Sequence, residues 1–244
     1  MLSTVARTGS VLNLFTIDKP EWGVREAADY LGLPKSNTHE LMASLSRIGL
    51  LRRTPSGRYR LGWRLLTISA DLLGGSGFEA RAHQVADEYA ARLNQTVTVA
   101  AWDGLHVVCV ASAAGRRDGE AVADGATLPG HATALGKLLM SSMPWETTMS
   151  IIDRYGLPRC TAATVASASE LESQLEAARR TGLAHEYGEH TEGLACVATG
   201  IHDRGDLVAA VSVTAPVERM QVRREEYTAA VRGAARALLR PKSR

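Results

Sequence analysis

Apolar residues in the first fifty positions recur at helical spacing in three segments, which helix-breaking residues separate. Residues 5–15 form the first segment, and Pro20 follows it. In residues 24–31 the apolar side chains stand at i, i+3, i+4 and i+7, and Gly32 follows at the position of a C-cap glycine. Residues 36–48 predict a helix with one apolar and one polar side. The expected buried stripe contains Leu41, Met42, Leu45 and Ile48, and the expected polar stripe contains Asn37, Glu40, Ser44 and Arg47.

The second and third segments are joined by a short turn that contains a glycine, which is typical of a helix-turn-helix. Ser36 is the expected N-cap of the third helix, with Lys35 or Pro34 as alternative starts. Residues 50–62 then form two short β-prone arms around a turn at residues 54–57. A hairpin at this place is typical of a wing. The pattern therefore predicts a winged helix-turn-helix domain at residues 1–62.

The pattern changes after residue 61. Residues 61–73 predict a helix with a broad apolar face, and a glycine-rich run at residues 74–77 is expected to end it. The apolar face contains Leu65, Leu66, Ile68, Ser69, Leu72 and Leu73. We interpret residues 63–77 as a linker helix, whose apolar face needs a partner surface in its own chain or in a second one.

Helical and strand patterns are mixed in the remaining part, residues 78–240. Helices are expected at residues 78–93, 134–141, 144–155, 169–181 and 223–239. Strands are expected at residues 96–102, 106–113, 183–186, 196–201 and 207–213, with hairpin turns at residues 103–104 and 204–206. The predicted fold class is α+β: a winged helix-turn-helix, a linker helix and a C-terminal α/β domain with an antiparallel sheet.

Composition limits the location of the protein more than its activity. Hydrophobic residues make up 45% of the chain and charged residues 22%, and no apolar run reaches the roughly 18 residues of a membrane span. The N-terminus has no pattern typical of a cleaved secretion signal. Cys109, Cys160 and Cys196 are widely spaced and form no C-x-x-C pair, so we expect neither a disulfide framework nor a zinc ribbon. A reducing cytoplasm and no contact with a membrane are predicted.

Charge is distributed unevenly along the chain. Residues 1–64 carry ten basic and five acidic side chains, whereas the remaining residues carry 18 basic and 21 acidic ones. A basic head on a near-neutral body favours a polyanion as the partner of the head, although a solvated charged surface is the alternative. In a helix-turn-helix the start of the second helix lies nearest the base edges of the major groove. Double-stranded DNA is therefore the predicted partner.

The candidate DNA contacts lie on the third helix and on the wing. Asn37 can pair with adenine, and Glu40 can accept a hydrogen bond from cytosine. The hydroxyl group of Ser36 or Thr38 can contact either base. Arg47 and the wing arginines are better placed for phosphates. The full set of candidates is Lys35, Ser36, Asn37, Thr38, His39, Glu40, Arg47, Arg52, Arg53, Arg58 and Arg60.

Residues 24–62, VREAADYLGLPKSNTHELMASLSRIGLLRRTPSGRYRLG, resemble the winged helix-turn-helix of IclR-type transcriptional regulators. Residues 128–144 and 179–220 resemble the ligand-binding domain of that family. The resemblance implies a GAF-like sheet with a pocket over one face. It also implies a homodimer, or a tetramer built as a dimer of dimers, that represses a catabolic operon from a pseudo-palindromic operator. One position departs from the family, which often has Arg after the His of the recognition helix, whereas this chain has Glu40; the operator sequence therefore cannot be carried over.

The resemblance also implies an effector pocket for a small organic acid, aliphatic or aromatic. Its residues in this chain would be Thr133, Ala134, Leu135, Glu186, Cys196, Ser212 and Thr214. A helix start at residues 133–135 suits a carboxylate because its backbone N–H groups are free. Ser212 and Thr214 stand two apart on one strand and face the same side. His131 precedes the helix, and Trp102 can stack on an aromatic ligand or pack in the core.

Two other kinds of site compete with the effector pocket. Cys196 with His131 or His190 would form a nucleophile and base, but a free Cys beside a strand is more often a buried hydrophobe. His185, His190 and Cys196 would form a metal site, although their spacing fits no standard zinc pattern. No dinucleotide, P-loop or G-x-S-x-G motif is present. We predict no enzyme, no cofactor and no metal; the competing class is an enzyme or sensor whose N-terminal domain mediates protein contacts.

Overall fold

The computed structural model describes residues 3–16, 18–115 and 120–239, except for the side chains of Ser3, Ala70 and residues 72–76. The chain divides into two units, Met1–Ser76 and Gly77–Arg244. Within the described ranges, no helix combines the length and the hydropathy that crossing a bilayer requires.

The first unit is a winged helix-turn-helix followed by one further helix. Its elements are α1 (Ser3–Leu12), α2 (Val24–Leu31), α3 (Lys35–Arg47), β1 (Leu51–Arg53), β2 (Tyr59–Leu61) and α4 (Arg64–Ser76). Gly32 ends α2 in the left-handed conformation, with φ of 63°, as the predicted C-cap requires. Apolar side chains from the first three helices and both strands share one core, which includes Val11, Ala27, Met42, Leu51 and Tyr59.

The wing is fixed to the helices at both of its ends. β1 and β2 pair antiparallel with Arg52 opposite Arg60, and Trp22 exchanges two backbone hydrogen bonds with Tyr59. A Cβ at Gly62 would lie 2.0 Å from the carbonyl oxygen of Gly49, so only glycine permits this approach. The hairpin therefore has a defined position beside α3.

Several boundaries in the first unit differ from the prediction. α1 ends at Leu12, before Phe15, and Leu61 belongs to β2, so that α4 begins only at Arg64. α4 continues to Ser76 through the glycines expected to end it. Ile48, expected in the buried stripe of α3, is 51% exposed. The side chains of Leu72 and Leu73, expected on the apolar face of α4, lie outside the described residues.

The second unit is built on one antiparallel sheet. Its strands are β3 (Thr96–Trp102), β4 (Val107–Ala113), β5 (Thr127–Leu128), β6 (Leu183–Tyr187), β7 (Leu194–Asp203) and β8 (Asp206–Pro216). Its helices are α5 (Phe78–Leu93), α6 (Ala134–Ser141), α7 (Trp145–Tyr155), α8 (Ala168–Thr181), α9 (Val217–Val222) and α10 (Arg224–Leu239). The strand order is β5-β4-β3-β8-β7-β6, with all neighbours antiparallel.

The two faces of the sheet differ in chemistry because side chains alternate along each strand. Val97 and Val99 of β3, like Val211 and Val213 of β8, join the apolar core formed with α5 and α10. The side chains between them point to the opposite face, where α6 and α8 pack over one end. This second face carries most of the polar residues of the sheet and forms the floor of a cavity.

The predicted α+β class, the winged helix-turn-helix and the antiparallel sheet are confirmed. The two-residue strand β5 and the six-residue helix α9 were not predicted. β7 and β8 are longer than expected, at ten and eleven residues.

Candidate functional sites

The start of α3 presents a row of exposed polar side chains. These are Lys35, Ser36, Asn37, His39 and Glu40, and Arg47 is exposed near the other end of the helix. Arg47 donates a hydrogen bond from Nη2 to Ser44 Oγ at 2.9 Å. The first turn also has free backbone N–H groups by virtue of its position. The surface therefore has the donors, acceptors and positive dipole that a nucleic-acid groove recognises.

Thr38 does not belong to this surface, which corrects the prediction. Its side chain is fully buried and donates from Oγ1 to the carbonyl oxygen of Pro34 at 3.2 Å. Thr38, Met42 and Leu45 are the buried positions of α3, at spacings of four and three residues. Pro34 is the N-cap, so the alternative start of the helix holds and Ser36 does not cap it.

The four wing arginines fall into two pairs, which the sequence did not distinguish. Arg58 lies 2.7 Å from Glu26, and Arg60 lies 2.5 Å from Glu21. Arg53 is exposed, and the guanidinium of Arg52 lies 5.4 Å from the centroid of the Trp63 ring. Carboxylates of the same unit thus neutralise Arg58 and Arg60, whereas Arg52 and Arg53 have no carboxylate partner among the described residues.

The acidic partner of Arg58 is strongly stabilised as a carboxylate. Lys19 and Arg58 both bind Glu26, and Gly23 donates its backbone N–H to it, so the pKa of Glu26 falls to about 2. This fixes α2 to the wing at neutral pH. The net charge of the head is unchanged by this pairing, because Glu26 is already one of the five acidic side chains of residues 1–64.

A cavity of about 350 Å³ lies over the polar face of the sheet in the second unit. Four side chains that pair across neighbouring strands form one row of its floor: Glu186, Cys196, Thr214 and Thr96. Ser212 and Thr98 form part of the next row. The start of α6, at Thr133, Ala134 and Leu135, lines the same cavity. The structure thus brings together seven of the nine predicted effector residues.

The start of α6 is capped by Thr133 and faces the cavity. Thr133 is the N-cap: its Oγ1 accepts from the Gly136 N–H at 3.1 Å and donates to the Pro129 carbonyl at 2.8 Å. The N–H groups of Ala134 and Leu135 have no acceptor in the part of the chain that the structure describes. A Cβ at Gly136 would lie 2.3 Å from the Gly130 carbonyl oxygen, which shows how closely the preceding loop packs on the helix. A carboxylate in the cavity could accept from both free N–H groups.

The floor of the cavity is polar but holds no free cation among the described residues. Glu186 is 2% exposed, and burial raises its pKa, although a hydrogen bond with Cys196 and the Glu189 N–H oppose the rise. Cys196 and Thr214 share a hydrogen bond of 2.9 Å. Lys137 is buried nearby but is paired with Glu189. An anion therefore finds hydroxyl and N–H donors here, beside a carboxyl group that resists ionisation.

Trp102 and His131 lie in a neighbouring cavity and not in the polar one. This second cavity, of about 170 Å³, is lined mainly by apolar residues of α7 and of the segments at residues 128–131 and 156–158. His131 Nε2 contacts the Pro158 carbonyl at 3.0 Å, and Trp102 packs against two apolar clusters. Leu128 lines both cavities. A core role therefore accounts for Trp102 and His131.

The alternative metal set does not assemble, and the alternative catalytic set brings His190 and Cys196 to one cavity without activating the thiol. His185 is paired with Val197, so it faces the α10 side of the sheet, whereas Cys196 faces the cavity. The two cannot bind one ion. Burial raises the pKa of the Cys196 thiol well above its usual value, whereas a nucleophilic cysteine needs a lowered one.

Other polar residues in or beside the cavity were not predicted from the sequence to form it. Thr96 and Thr98 alternate with valines in the predicted strand 96–102, and this alternation was a signal that they share a face. Thr191 comes from the segment after β6, which has no periodicity, and His190 of the same segment was considered only as a base or a metal ligand. Lys137 stands alone in an apolar helix, a pattern that indicates a buried partner.

Two family models match this chain. The IclR helix-turn-helix domain matches residues 4–55, and the bacterial transcriptional regulator IclR C-terminal domain matches residues 72–240. The chain belongs to the IclR family. The glycerol operon regulatory protein of Streptomyces coelicolor is 32% identical over 98% of this chain and 96% of its own length. The chain is therefore a ligand-responsive DNA-binding transcriptional regulator, as the resemblance implied.

Solved structures support the fold of this IclR family member. An ICLR-type transcriptional regulator from Silicibacter sp. TM1040 matches with a TM-score of 0.84 and 22% identity over 97% of this chain and 94% of that one. An IclR homologue from Microbacterium hydrocarbonoxydans, complexed with 4-hydroxybenzoate, matches with a TM-score of 0.72 and 23% identity over 97% of each chain.

Proposed function

We propose that this IclR family member is a repressor of a catabolic operon whose effector is a small hydroxylated carboxylic acid. The winged helix-turn-helix, residues 1–62, would bind a pseudo-palindromic operator as a homodimer or dimer of dimers. The linker helix, residues 63–77, would join it to the effector-binding domain, residues 78–240. The protein would act in the cytoplasm and without catalysis. The observation that carries the proposal is the polar cavity against the free N-terminus of α6.

The cavity favours a ligand with two different polar ends. A carboxylate would accept from the N–H groups of Ala134 and Leu135 at the start of α6. Hydroxyl groups of Thr96 and Ser212, which have no hydrogen-bond partner in the described residues, add donors on the floor. Glu186 would repel a second anionic group, but its oxygen atoms would accept from a ligand hydroxyl. The bound 4-hydroxybenzoate of the Microbacterium homologue has both ends.

A thermal-shift screen tests the effector class. We expect hydroxybenzoates or short hydroxy acids to raise the melting temperature, since a ligand that binds only the folded state stabilises it. Matched compounds without the hydroxyl, or with an amide in place of the carboxylate, should give a smaller rise. Ser212→Ala should weaken binding by about fivefold to tenfold, because it removes one hydrogen bond worth about 1 kcal/mol. Equal shifts for acids and amides would contradict the proposed carboxylate site.

We assign the operator contacts to polar side chains that form no ion pair among the described residues. Asn37 lies on the first turn of α3 and would select a base, whereas Arg52 would bind phosphate from the wing. In gel-shift titrations on the DNA upstream of its own locus, Asn37→Ala should relax base preference. Arg52→Ala should lower affinity evenly and reduce the salt slope by about one. Arg58→Ala is the matched control and should alter the salt slope least, because Glu26 neutralises Arg58.

The direction of regulation has its own test. If the protein is a repressor released by its effector, the acid found in the screen should weaken operator binding. The factor should equal the ratio of the affinities of the acid for the dimer arrangement that does not bind the operator and for the arrangement that does. Stronger operator binding in the presence of the acid would indicate an activator or a corepressor-dependent regulator. Absence of salt-sensitive retardation at any concentration would favour a sensor whose N-terminal domain binds proteins.

A further inference from the structure

A cluster of possible metal ligands lies outside the effector cavity. Glu79 and His83 stand four residues apart on one face of α5, and Asp124 approaches them from the segment between β4 and β5. His83 Nε2 lies 3.1 Å from Asp124 Oδ2. One ligand atom from each residue lies within 4.8 Å of the other two. It is the only such group of His, Cys, Asp and Glu side chains in the described part of the chain.

Asp124 is held in place by its neighbours and does not depend on His83 for its position. The Gly125 N–H donates to the Cys109 carbonyl at 2.8 Å, and the Cys109 N–H donates to the Ala126 carbonyl at 2.9 Å. Gly125 has φ of 75°, a conformation that favours glycine, and the turn closes from the Ala126 N–H to the Ala123 carbonyl. The sheet therefore presents the Asp124 carboxylate to α5.

Apart from His83, no cation among the described residues balances the two carboxylates of the cluster. Two carboxylates meet around one imidazole, and Glu79 has neither a cation nor a hydrogen-bond donor among the described residues. Like charges this close repel each other unless a cation lies between them. His83 and Asp124 are partly exposed, at 40% and 51% of their side chains, so water can complete a coordination sphere.

We propose that Glu79, His83 and Asp124 bind a divalent transition-metal ion of the Zn²⁺ type. One imidazole nitrogen and two carboxylate oxygens match the ligands that zinc accepts, and three protein ligands leave a position for water. The ligand atoms need only a small movement of exposed side chains to reach coordination distances. The ion would tie α5 to the segment before β5.

The site would also affect the effector cavity, because the same segment forms part of the cavity wall. Glu120, Ala121 and Val122 line the cavity, and the Val122 N–H donates to Ser112 Oγ at 3.1 Å. A bound ion would restrain this wall and so raise effector affinity. That consequence rests on the proposed function, whereas the metal site itself does not.

Isothermal titration of the metal-free, full-length chain with Zn²⁺ tests the site. We expect the wild type to bind one equivalent of Zn²⁺. The variants His83→Ala and Asp124→Asn should bind no zinc, or bind it at least about 100-fold more weakly. His106→Ala is the matched control, because His106 also lies beside an aspartate, Asp103, at 3.7 Å, but outside any three-ligand group of the described residues. This control should keep the full stoichiometry.

Glu79→Gln separates loss of a ligand from loss of structure. This variant retains the His83–Asp124 contact, so without metal it should have the same melting temperature as the wild type. Zinc should no longer raise that melting temperature. Co²⁺ should give a spectrum without thiolate charge-transfer bands. Zinc binding that survives in His83→Ala and Glu79→Gln, or no binding by the wild type, would show that His83 simply bridges the two carboxylates and would overturn the proposal.

Discussion

The acidity of Glu186 depends on its buried surroundings. Burial raises its pKa, since the carboxylate loses hydration that the partly compensating hydrogen bonds from Cys196 and Glu189 do not restore. A group with a raised pKa in the folded state contributes stability that is present below its unfolded pKa. That contribution is lost as pH rises through the folded value. The ionisation of Glu186 therefore lowers the free energy of unfolding as pH rises, while the side chain supplies an acceptor in the cavity.

Glu186→Gln should remove this pH dependence. The amide keeps an oxygen that can accept from the Glu189 N–H but never ionises. We expect the free energy of unfolding of the variant, relative to the wild type, to increase as pH is raised from about 4 to about 7.5. Urea denaturation at several pH values measures it, with the exposed Glu192→Gln as control. A difference that stays constant with pH would contradict the assigned cause.

At the residue scale the sequence predicted which side chains are exposed on a helix better than which side chains contact other elements. Asn37 and Glu40 are exposed on α3 as expected, because position on an amphipathic helix follows from spacing alone. Thr38 is buried and Arg58 is neutralised, and both depend on contacts with other elements. No pattern within residues 50–62 distinguishes Arg53 from Arg58, since the partner of Arg58 is 32 residues away.

At the scale of elements, one buried ion pair connects two walls of the effector cavity. Lys137, 1% exposed on α6, binds Glu189 in the segment after β6. The Glu189 N–H in turn donates to Glu186 Oε2 at 2.9 Å. Thr164 Oγ1 donates to the Glu189 carbonyl at 2.7 Å. The anion site on α6 and the acceptor on β6 are thus fixed relative to each other.

Removing Lys137 alone should therefore be costly. Lys137→Met leaves the Glu189 carboxylate buried without its cation, and we expect a loss of about 3–5 kcal/mol in the free energy of unfolding. Replacing both partners, as Lys137→Met with Glu189→Leu, should cost much less because no charge stays buried. Urea denaturation of the two single variants and the double variant forms the cycle. Additive effects would show that the two side chains do not act as a pair.

The elements predicted with the correct bounds are those with strong periodicity and clear ends. α5, β3 and α6 match the expected ranges residue by residue, because helical spacing marks α5, alternation marks the first half of β3, and Thr133 marks the start of α6. β5 has two residues and α9 has six, too few for either period to emerge. The cavity follows from the sheet register, which sequence alternation constrains only within each strand, and so Trp102 was grouped with residues that it does not join.

At the scale of the whole molecule, DNA recognition and effector binding belong to different units of the chain. The proposed effector cavity is formed by residues of the second unit, whereas α3 belongs to the first. An effector bound there would act through the arrangement of domains or subunits, and the size of its influence would equal the difference in its affinity for the two arrangements. The proposed dimer supplies such arrangements, since two recognition helices can match or miss the spacing of two half-sites.

α4 offers the surface for the proposed dimer. Trp63 is 71% exposed just before it, and Leu66 and Ile68 on the helix are 63% and 49% exposed. Apolar side chains of this size are favoured on a helix when another surface covers them. Leu66 and Ile68 are two residues apart and point to different sides of α4, so the proposal places a surface of the second copy on each side.

Leu66→Gln combined with Ile68→Gln should therefore shift sedimentation toward the monomer without changing net charge. Operator affinity should fall, and the slope of log K against log salt should drop to roughly half, because one head makes half the phosphate contacts of two. Val222→Gln is the matched control, since Val222 is 85% exposed but lies on α9. Effector binding should survive in both variants if the cavity is formed within one chain. A double variant that stays dimeric, or that loses affinity while keeping the full salt slope, would assign the dimer interface to another surface.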